Sequence, residues 1–298
     1  MVRAVTSPDQ LTLRPLRRDE LDILVEWAAE EGWNPGRDDA EVFWEADPQG
    51  FVAAEIERNG RAELAGGGSI VRYGRRYGFM GFFIVRRDLR GSGIGTRLWF
   101  HRRDLLRSRL DPDAAIEMDG VFAMQAWYAR GGFAFQHRDL RFEGLASADG
   151  ATAVEGDLVD LQRLPFEQVT AFDRQHFPAD RPSFLSRWIA RPGGHSLGWT
   201  RSGILVGMAV SRPCRRGHKV GPLLAFDGEI AASLLNELGR RLAGEPIQLD
   251  VPEANRAAVE LAKRRGMREV FGCAKMTFGP PPQLPWARIF GVTTFELG

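Results

Sequence analysis

The stretch Arg90-Gly91-Ser92-Gly93-Ile94-Gly95-Thr96 joins an apolar strand to a helix through a glycine-rich turn. The run from Tyr77 to Val85 before it is almost continuously apolar, which predicts a strand buried on both faces. Ile94 and Leu98 then recur at helical spacing, so the helix begins at the glycines. Free N–H groups at a helix start bind phosphate oxygens, and glycine lets a ligand approach the backbone closely. The stretch therefore predicts an anion-binding loop, to which Arg90 adds a positive charge.

Two better-known phosphate loops do not fit this stretch. No Lys-Ser or Lys-Thr pair follows the last glycine, as a Walker A loop requires, and the Gly-x-Gly-x-x-Gly spacing of dinucleotide-binding folds is absent. Glycine-rich spacing of this kind also occurs in tight strand-to-helix turns that bind nothing. The stretch alone leaves both an anion site and a plain turn open.

Two motifs together resemble the GNAT superfamily of N-acetyltransferases. Arg90, Gly93 and Gly95 follow a strand that ends at Ile84-Val85, which is similar to the family's Arg-x-x-Gly-x-Gly loop for the acyl-CoA pyrophosphate. Downstream, Tyr128-Ala129-Arg130-Gly131-Gly132-Phe133 resembles the family's Tyr-x-x-x-Gly-Phe helix end. The resemblance implies acetyl-CoA as a cosubstrate and a mixed β-sheet flanked by helices.

The predicted elements occur twice in the same order. Strand, two helices, three strands, helix, strand, helix and strand follow one another over 11–142 and again over 158–278. A stretch rich in Gly, Ala, Ser and Asp at 144–156 separates the two series and predicts a linker. We therefore expect an α/β protein with two tandem GNAT folds, each a mixed sheet flanked by helices, in domains 1–145 and 157–298.

The second copy retains less of the family pattern. Asn255-Arg256-Ala257-Ala258 and Gly266-Met267 resemble part of the helix-end motif, but no tyrosine accompanies them. The phosphate loop is replaced by Phe226-Asp227-Gly228-Glu229, whose two carboxylates would repel a pyrophosphate. The whole chain resembles bacterial tandem-GNAT proteins, in which an active N-terminal domain is joined to a diverged one. We expect the second domain not to hold CoA and instead to shape the acceptor site or stabilise the first domain.

The resemblance also implies roles for individual side chains of the first domain. Tyr128 would protonate the departing thiolate, although a core aromatic at a helix end shows the same pattern. Trp33 and Asn34 lie in the loop that lines acceptor pockets in the family, and Trp33 could equally fill space under the first helix. The cofactor-binding set that the resemblance implies is Phe83, Ile84, Val85, Arg90, Gly91, Ser92, Gly93, Ile94, Gly95 and Thr96.

The sequence does not supply an obvious general base. Members of the family often carry a glutamate on the fourth strand, but Met80 to Val85 contains no carboxylate. Glu117 and Asp119, near the fifth strand, are candidates, as is a chain of water molecules. Charged residues at strand ends are also commonly just solvated, so these alternatives stay open.

Composition narrows the classes of partner. The chain has 298 residues, 44% hydrophobic content and a formal net charge of +1, which gives no net attraction to nucleic acid or to an acidic membrane. No stretch approaches the roughly 20 apolar residues of a membrane span, and the start has no apolar signal core. Two separate cysteines, Cys214 and Cys273, and scattered histidines indicate neither a metal site nor a disulfide scaffold. We expect a cytoplasmic protein without a metal, and the sequence makes no prediction of its oligomeric state.

These expectations combine into one function and one alternative. The leading prediction is an N-acetyltransferase that moves the acetyl group of acetyl-CoA to a primary amine of a small molecule, an amino acid or a peptide by direct attack. Because no base is visible, the alternative is a non-catalytic acyl-CoA-binding sensor or regulatory module. Fold analogy does not identify the amine.

Overall fold

The structure is a computed structural model that describes residues 11–148 and 154–298. Residues 1–10 of the predicted first domain and 149–153 of the predicted linker lie outside these ranges. The first half of the chain follows the predicted order of strands and helices. Its elements are β1 (Leu11–Pro15), α1 (Arg18–Glu30), α2 (Asp39–Ala46), β2 (Phe51–Arg58), β3 (Arg61–Ser69), β4 (Val71–Tyr73), β5 (Tyr77–Phe79), β6 (Ile84–Val85), α3 (Ile94–Ser108), β7 (Ala115–Val121), α4 (Gln125–Arg130) and β8 (Ala134–Leu145).

The second half has the three predicted strands between its second and third helices, where the first half has five because two predicted strands are divided, and it then adds one short strand. Its elements are β9 (Asp157–Asp160), α5 (Phe166–Arg174), α6 (Pro182–Ile189), β10 (His195–Arg201), β11 (Ile204–Pro213), β12 (His218–Ala225), α7 (Gly228–Arg241), β13 (Pro246–Pro252), α8 (Arg256–Arg264), β14 (Arg268–Phe278) and β15 (Ile289–Gly291). The mixed sheets and flanking helices confirm the predicted fold class.

The strand predicted from Tyr77 to Val85 is interrupted in the structure. β5 ends at Phe79 and β6 begins at Ile84, and between them Phe82 has a φ of 51°, in the left-handed region. β5 pairs in parallel with β7, whereas β6 pairs with β3 in a separate sheet of order β1-β2-β3-β6. A continuous apolar run does not reveal such a break, because the periodicity is the same on either side of it. The interruption opens a cleft between β6 and β7.

The two halves share one large sheet. Within the described ranges its strand order is β4-β5-β7-β14-β8-β13-β12-β11-β10-β9. β14, from the second half, lies between β7 and β8 of the first half and pairs antiparallel with both. β8 in turn pairs antiparallel with β13 of the second half. The last strand of the first series and the corresponding strand of the second are thus exchanged between the halves.

In the second half, β15 occupies the gap that corresponds to the cleft of the first half. β12 and β13 pair in parallel only from His218 to Val220 and then diverge. β15 enters this gap: it pairs antiparallel with β12, and the Val292 N–H donates to the Asp250 carbonyl of β13 at 2.8 Å. Phe290 of β15 is 1% exposed and packs in the apolar core of the second half.

The helices enclose three apolar cores. α1, α2, α5 and α6 meet in one core between the halves, where the rings of Phe43 and Trp188 stack at 6.5 Å. α3 and α4 cover the first half, and α7 and α8 cover the second. In the central contact, the Arg191 Nη2 and Arg212 Nε atoms lie 2.7 and 3.3 Å from Asp39 Oδ1. Burial raises the pKa of the Asp39 carboxyl, but these cations outweigh it and bring that pKa to about 2.

Candidate active site

A cavity of about 760 Å³ occupies the cleft between β6 and β7. Its outer end is the glycine-rich loop before α3, its middle is the interrupted strand opposite β7 and α4, and its inner end is closed by residues from both halves. The predicted residues that line it are Trp33, Phe83, Ile84, Val85, Arg90, Gly91, Gly93, Gly95, Thr96 and Tyr128. The structure therefore brings most of the predicted site together in one continuous space.

The loop at the outer end presents unused backbone donors. Gly91 and Gly93 have φ values of 77° and 88°, which favour glycine, and Gly93 immediately precedes α3. Within the described residues, none of the N–H groups from Gly91 to Thr96 donates a hydrogen bond to the protein. A Cβ added at Gly91 or Gly93 would meet no atom within 4 Å, so the space in front of the loop is open. This geometry suits a phosphate group at a helix start.

Two predicted loop residues support the loop from behind. The Ser92 hydroxyl donates to the Leu89 carbonyl at 2.6 Å, and Ile94 is buried in the core under α3. Neither residue lines the cavity. They hold the turn that positions the neighbouring glycines.

Arg90 is anchored by a carboxylate that the sequence did not suggest. Its Nη2 donates to Glu31 Oε1 at 2.8 Å, and its Nε donates to the Val85 carbonyl at 2.9 Å. Arg87 Nε also donates to Glu31 Oε1 at 2.8 Å. The hydrogen bond from Arg90 lowers the pKa of the Glu31 carboxyl. Arg87 and Arg90 carry two positive charges and Glu31 carries one negative charge, so one net positive charge remains beside the loop.

The segment between β5 and β6 presents two further free donors. The Ser69 N–H donates to the Gly81 carbonyl at 2.9 Å, and the Gly81 N–H donates to Ser69 Oγ at 3.1 Å. Phe82 then turns away from β3, and in the described part of the chain the N–H groups of Phe82 and Phe83 make no hydrogen bond. Both residues line the cavity. Two N–H groups are thus available to a developing negative oxygen.

Arg102 on α3 braces this segment, a role that the sequence did not reveal. Its Nη2 donates to the carbonyl oxygens of Ser69 and Gly81, and its guanidinium lies 5.2 Å from the centre of the Phe83 ring. No carboxylate in the described ranges lies within ion-pair distance of it, and burial lowers its pKa to about 9.

Tyr128 lies on α4 with its hydroxyl unpaired. Its ring stacks on Trp99 at 5.9 Å and packs so closely on β7 that a Cβ at Gly120 would lie 2.3 Å from Tyr128 Cε2. The residue is 5% exposed, and burial raises the pKa of the hydroxyl to about 12. The hydroxyl makes no hydrogen bond with the described residues, and Tyr128 lines the cavity. It is therefore a protonated donor at neutral pH.

The inner end is built by both halves. Exchanged strand β14 contributes Phe271 and Cys273, and the segment after β15 contributes Phe295 and Glu296. Arg141 of β8 completes the wall. These five residues were missed because their positions depend on contacts between the halves, which leave no local pattern in the sequence. Burial raises the pKa of the Cys273 thiol, so it is a neutral lining group.

Buried charges fix the backbone of Trp33 at this end. Arg141 pairs with Asp250 through Nε–Oδ1 and Nη2–Oδ2 contacts of 2.6 and 2.8 Å. Its Nη1 donates to the Trp33 carbonyl at 3.0 Å, and Lys219 Nζ donates to the same oxygen at 2.9 Å. Burial lowers the pKa of Lys219. The indole of Trp33 is thereby held against the cavity.

Asn34, the other predicted acceptor residue, does not line the cavity. Its Nδ2 donates to the Arg216 carbonyl at 2.9 Å and to Gln248 Oε1 at 3.1 Å, and its Oδ1 accepts from the Arg216 N–H at 2.9 Å. All of its recorded partners belong to the second half. The structure places Asn34 as a link between the halves, next to a residue that does face the cavity.

The two carboxylates considered as bases are both engaged elsewhere. Glu117 accepts from the Tyr77 hydroxyl at 2.8 Å and from Thr277 Oγ1 at 3.2 Å, and it does not line the cavity. Asp119 borders the cavity, but its side chain is fully buried with Oδ1 3.0 Å from Lys275 Nζ. Burial raises the pKa of the Asp119 carboxyl.

The second half keeps no open counterpart of this site in its described residues. Asp227 Oδ1 accepts from the N–H groups of Glu229 and Ile230 at 3.0 and 2.9 Å, so a protein carboxylate uses the donors at the start of α7. β15 occupies the gap beside β12. Both features that define the first site are thus filled by the chain itself.

Comparison with known protein families identifies the class. The acetyltransferase (GNAT) family matches residues 18–133, and an acetyltransferase (GNAT) domain matches residues 169–291. The chain therefore belongs to the GNAT acetyltransferase family and carries two GNAT domains in tandem, which confirms the predicted resemblance. The general reaction of this family is acyl-CoA-dependent transfer of an acyl group to an acceptor.

Individual relatives span nearly the whole chain. Holothin acyltransferase from Pseudoalteromonas sp. is 25% identical over 293 residues, which cover 96% of this chain and 94% of that protein. The crystal structure of a candidate acetyltransferase from Pyrococcus horikoshii superposes with a TM-score of 0.79 at 22% identity, covering 97% of this chain and 96% of the other. A tandem GNAT protein from the clavulanic acid pathway has a TM-score of 0.63 at 16% identity, covering 91% and 100%.

The described residues form neither a membrane-spanning helix nor a cluster of metal ligands. No helix in the described ranges is both long and apolar enough to cross a membrane. Across residues 11–148 and 154–298, no group of three or more His, Cys, Asp or Glu side chains is placed to hold a metal ion.

Proposed function

We propose that this protein transfers the acetyl group of acetyl-CoA to a primary amine of a small molecule, an amino acid or a peptide. The observation that supports this most strongly is the continuity of one cavity. It joins free N–H groups at the start of α3, two free N–H groups at Phe82 and Phe83, and the unpaired hydroxyl of Tyr128. These are the groups that a pyrophosphate, a thioester carbonyl and a departing thiolate need.

Each part of the cavity would have a distinct task. The loop from Gly91 to Thr96 and the charge of Arg90 would bind the pyrophosphate. The N–H groups of Phe82 and Phe83 would hold the thioester oxygen and stabilise its negative charge as the amine attacks. Tyr128 would donate its proton to the sulfur when the carbon–sulfur bond breaks. Acetyl-CoA supplies the activated acyl group.

The closed inner end supports a small acceptor. Trp33, Phe271 and Phe295 surround it with aromatic surface, and the second half contributes two of these three rings. This arrangement supports the proposed role of the second domain in shaping the acceptor site. The relative named for acylation of holothin matches both domains, which makes holothin a natural first acceptor to test.

The competing function is an acyl-CoA sensor without catalysis. It is favoured by one observation, namely that Glu117 and Asp119 are both paired with protein groups. A sensor would bind acetyl-CoA through the same loop and release no thiol.

One assay separates the two functions. Purified full-length protein is incubated with acetyl-CoA and a panel of amines that includes holothin, alkyl amines, aryl amines and amino acids, and free thiol is measured with a chromogenic reagent. We expect amine-dependent thiol release with at least one acceptor, and a matching N-acetyl product by mass spectrometry. Tight calorimetric binding of acetyl-CoA with no release across the panel would instead establish the sensor.

A further inference from the structure

An amine acceptor must lose its proton before it can attack. An alkyl amine has a pKa near 10, so only about one molecule in 1,000 is neutral at pH 7. The interrupted strand carries no carboxylate, and Glu117 and Asp119 are engaged by other side chains. Glu296 is a different carboxylate that lines the same cavity, and it lies more than 200 residues beyond the interrupted strand in the sequence.

The backbone of Glu296 is fixed directly against the segment with the free N–H groups. Its carbonyl accepts from Ser69 Oγ at 3.2 Å, and the same hydroxyl oxygen accepts from the Gly81 N–H at 3.1 Å. The approach is so close that a Cβ on Gly81 would lie 1.9 Å from the Glu296 carbonyl oxygen. The next carbonyl, that of Leu297, accepts from the Tyr73 hydroxyl at 3.0 Å. The segment after β15 is therefore locked to the part of the first half that borders the reaction space.

The side-chain carboxylate of Glu296 is buried, and only one of its two oxygens accepts a hydrogen bond from the described residues. Glu296 is 4% exposed, and its Oε2 accepts a hydrogen bond from the Thr294 hydroxyl. Its Oε1 accepts no hydrogen bond from the described residues, although the residue lines the cavity. No cation in the described ranges lies within ion-pair distance of it. One carboxylate oxygen is left for a ligand.

The surrounding charges are occupied by other partners. Arg141, Lys219 and Arg212 interact with Glu296 at longer range from β8, β12 and β11. Arg141 is paired with Asp250, Arg212 with Asp39, and Lys219 with the Trp33 carbonyl. Cys273 of β14 also faces this space as a neutral thiol. Among the described carboxylates that line the cavity, Glu296 is thus the one without a cationic partner of its own.

We infer that Glu296 receives the ammonium group of the acceptor and removes its proton, so that the second domain supplies the base for the site in the first. The role rests on the proposed acetyl transfer. One proton passes from the ammonium nitrogen to Glu296 and then to solvent. The neutral nitrogen attacks the thioester carbon, the carbon–nitrogen bond forms and the carbon–sulfur bond breaks. The second proton passes from the nitrogen to solvent as the amide forms, and Tyr128 donates a proton to the sulfur and recovers one from solvent.

The chamber around Glu296 also indicates the kind of molecule that carries the amine. The ring centres of Phe271 and Phe295 lie 6.2 Å apart, and those of Trp33 and Phe82 lie 6.3 Å apart. Aromatic walls favour a flat, apolar body, and the free oxygen of the Glu296 carboxylate favours one cationic amine. The acceptor class is therefore a small ring-bearing primary amine.

The test is Glu296→Gln, with Glu117→Gln as the matched control. Both are buried glutamates changed to the isosteric amide, but Glu117 does not line the cavity. Wild type and both variants are assayed from pH 6 to 10 with two acceptors that the wild type acetylates, one of pKa near 10 and one that is already neutral at pH 7. Acetyl-CoA affinity is measured by calorimetry in each protein.

For Glu296→Gln we expect unchanged acetyl-CoA affinity and a loss of about 100- to 1,000-fold in kcat/KM at pH 7 with the basic amine. The loss should shrink about tenfold for each pH unit above 7, because more of the basic amine is then already neutral. It should be small with the acceptor that is neutral at pH 7, because that acceptor needs no base. Glu117→Gln should show no such dependence on acceptor pKa. A Glu296→Gln defect that is absent, or equal for both amines at every pH, overturns the role of Glu296 while acetyl transfer stands. A wild type that acetylates no amine refutes the proposed function, and the role falls with it.

Discussion

Tyr128→Phe removes one hydroxyl from the cavity and leaves the ring that packs there. The ring stacks on Trp99 at 5.9 Å and fills the space over Gly120, and neither contact involves the oxygen. Because the hydroxyl has no hydrogen-bond partner among the described residues, its loss should change the free energy of unfolding by less than about 1 kcal/mol. The affinity for acetyl-CoA should also be unchanged, since the loop proposed to bind the pyrophosphate lies at the outer end of the cavity, whereas Tyr128 lies at its middle.

The catalytic cost follows from the environment of the hydroxyl. Burial raises its pKa to about 12, so it stays protonated across the working pH range and can donate to a thiolate of pKa about 8.5. General acids typically contribute about 100- to 10,000-fold. A thiolate is a comparatively stable leaving group, so we expect the lower end, a loss of about 100-fold in kcat.

The measurement is single-turnover thiol release followed by stopped flow, because slow product release would hide the chemical step in the steady state. Tyr77→Phe is the matched control, since Tyr77 is a buried tyrosine whose hydroxyl bonds Glu117 outside the cavity. If Tyr128→Phe releases thiol at the wild-type single-turnover rate, water protonates the sulfur and Tyr128 has only a packing role.

Three further predictions test the cofactor loop, the contact between the halves and the shared sheet. Gly93→Asp places a carboxylate at the phosphate position and a side chain on a φ of 88°, so calorimetry should show one acetyl-CoA site per chain in the wild type and at least tenfold weaker binding in the variant; a stoichiometry near two would contradict this assignment. Gly81→Ala drives a Cβ into the Glu296 carbonyl, so amine turnover should fall by about 100-fold, with binding of acetyl-CoA the less affected property. Truncation after Gly144 removes β13 and β14, the two neighbours of β8, so the fragment should be insoluble or lack a cooperative melting transition by circular dichroism, and a stable acetyl-CoA-binding fragment would show that the pairing of β8 with β13 and β14 is dispensable.

The local parts of the site could be predicted from the sequence because contiguous residues encode them. The glycines before α3 and the tyrosine of α4 each belong to a short local motif. Such a motif is visible in the sequence whichever strands lie beside it. The duplicated order of elements was visible for the same reason. Trp33 lines the cavity, as its place in the loop predicted, whereas the neighbouring Asn34 forms hydrogen bonds with the second half.

The remaining parts could not be predicted because they depend on which strands become neighbours. A strand shows the same alternation whether it pairs within its own half or with the other, so β14 gave no sign that it would separate β7 from β8. Glu296 lies in a segment without periodicity, and only the contacts with Ser69 and Gly81 place it. Arg102 shares α3 with several other arginines, and helical spacing alone does not distinguish it from them.

The exchange of β8 and β14 has a consequence for how such a chain evolves. After a duplication, a redundant copy is ordinarily free to be deleted, but here each copy holds a strand that completes the other's sheet. Loss of either copy would expose strand edges in the survivor, so selection for folding preserves both. The second copy, with Asp227 at the start of α7 and β15 in its cleft, is therefore retained for the strands that it contributes to the shared sheet, independently of any ligand of its own.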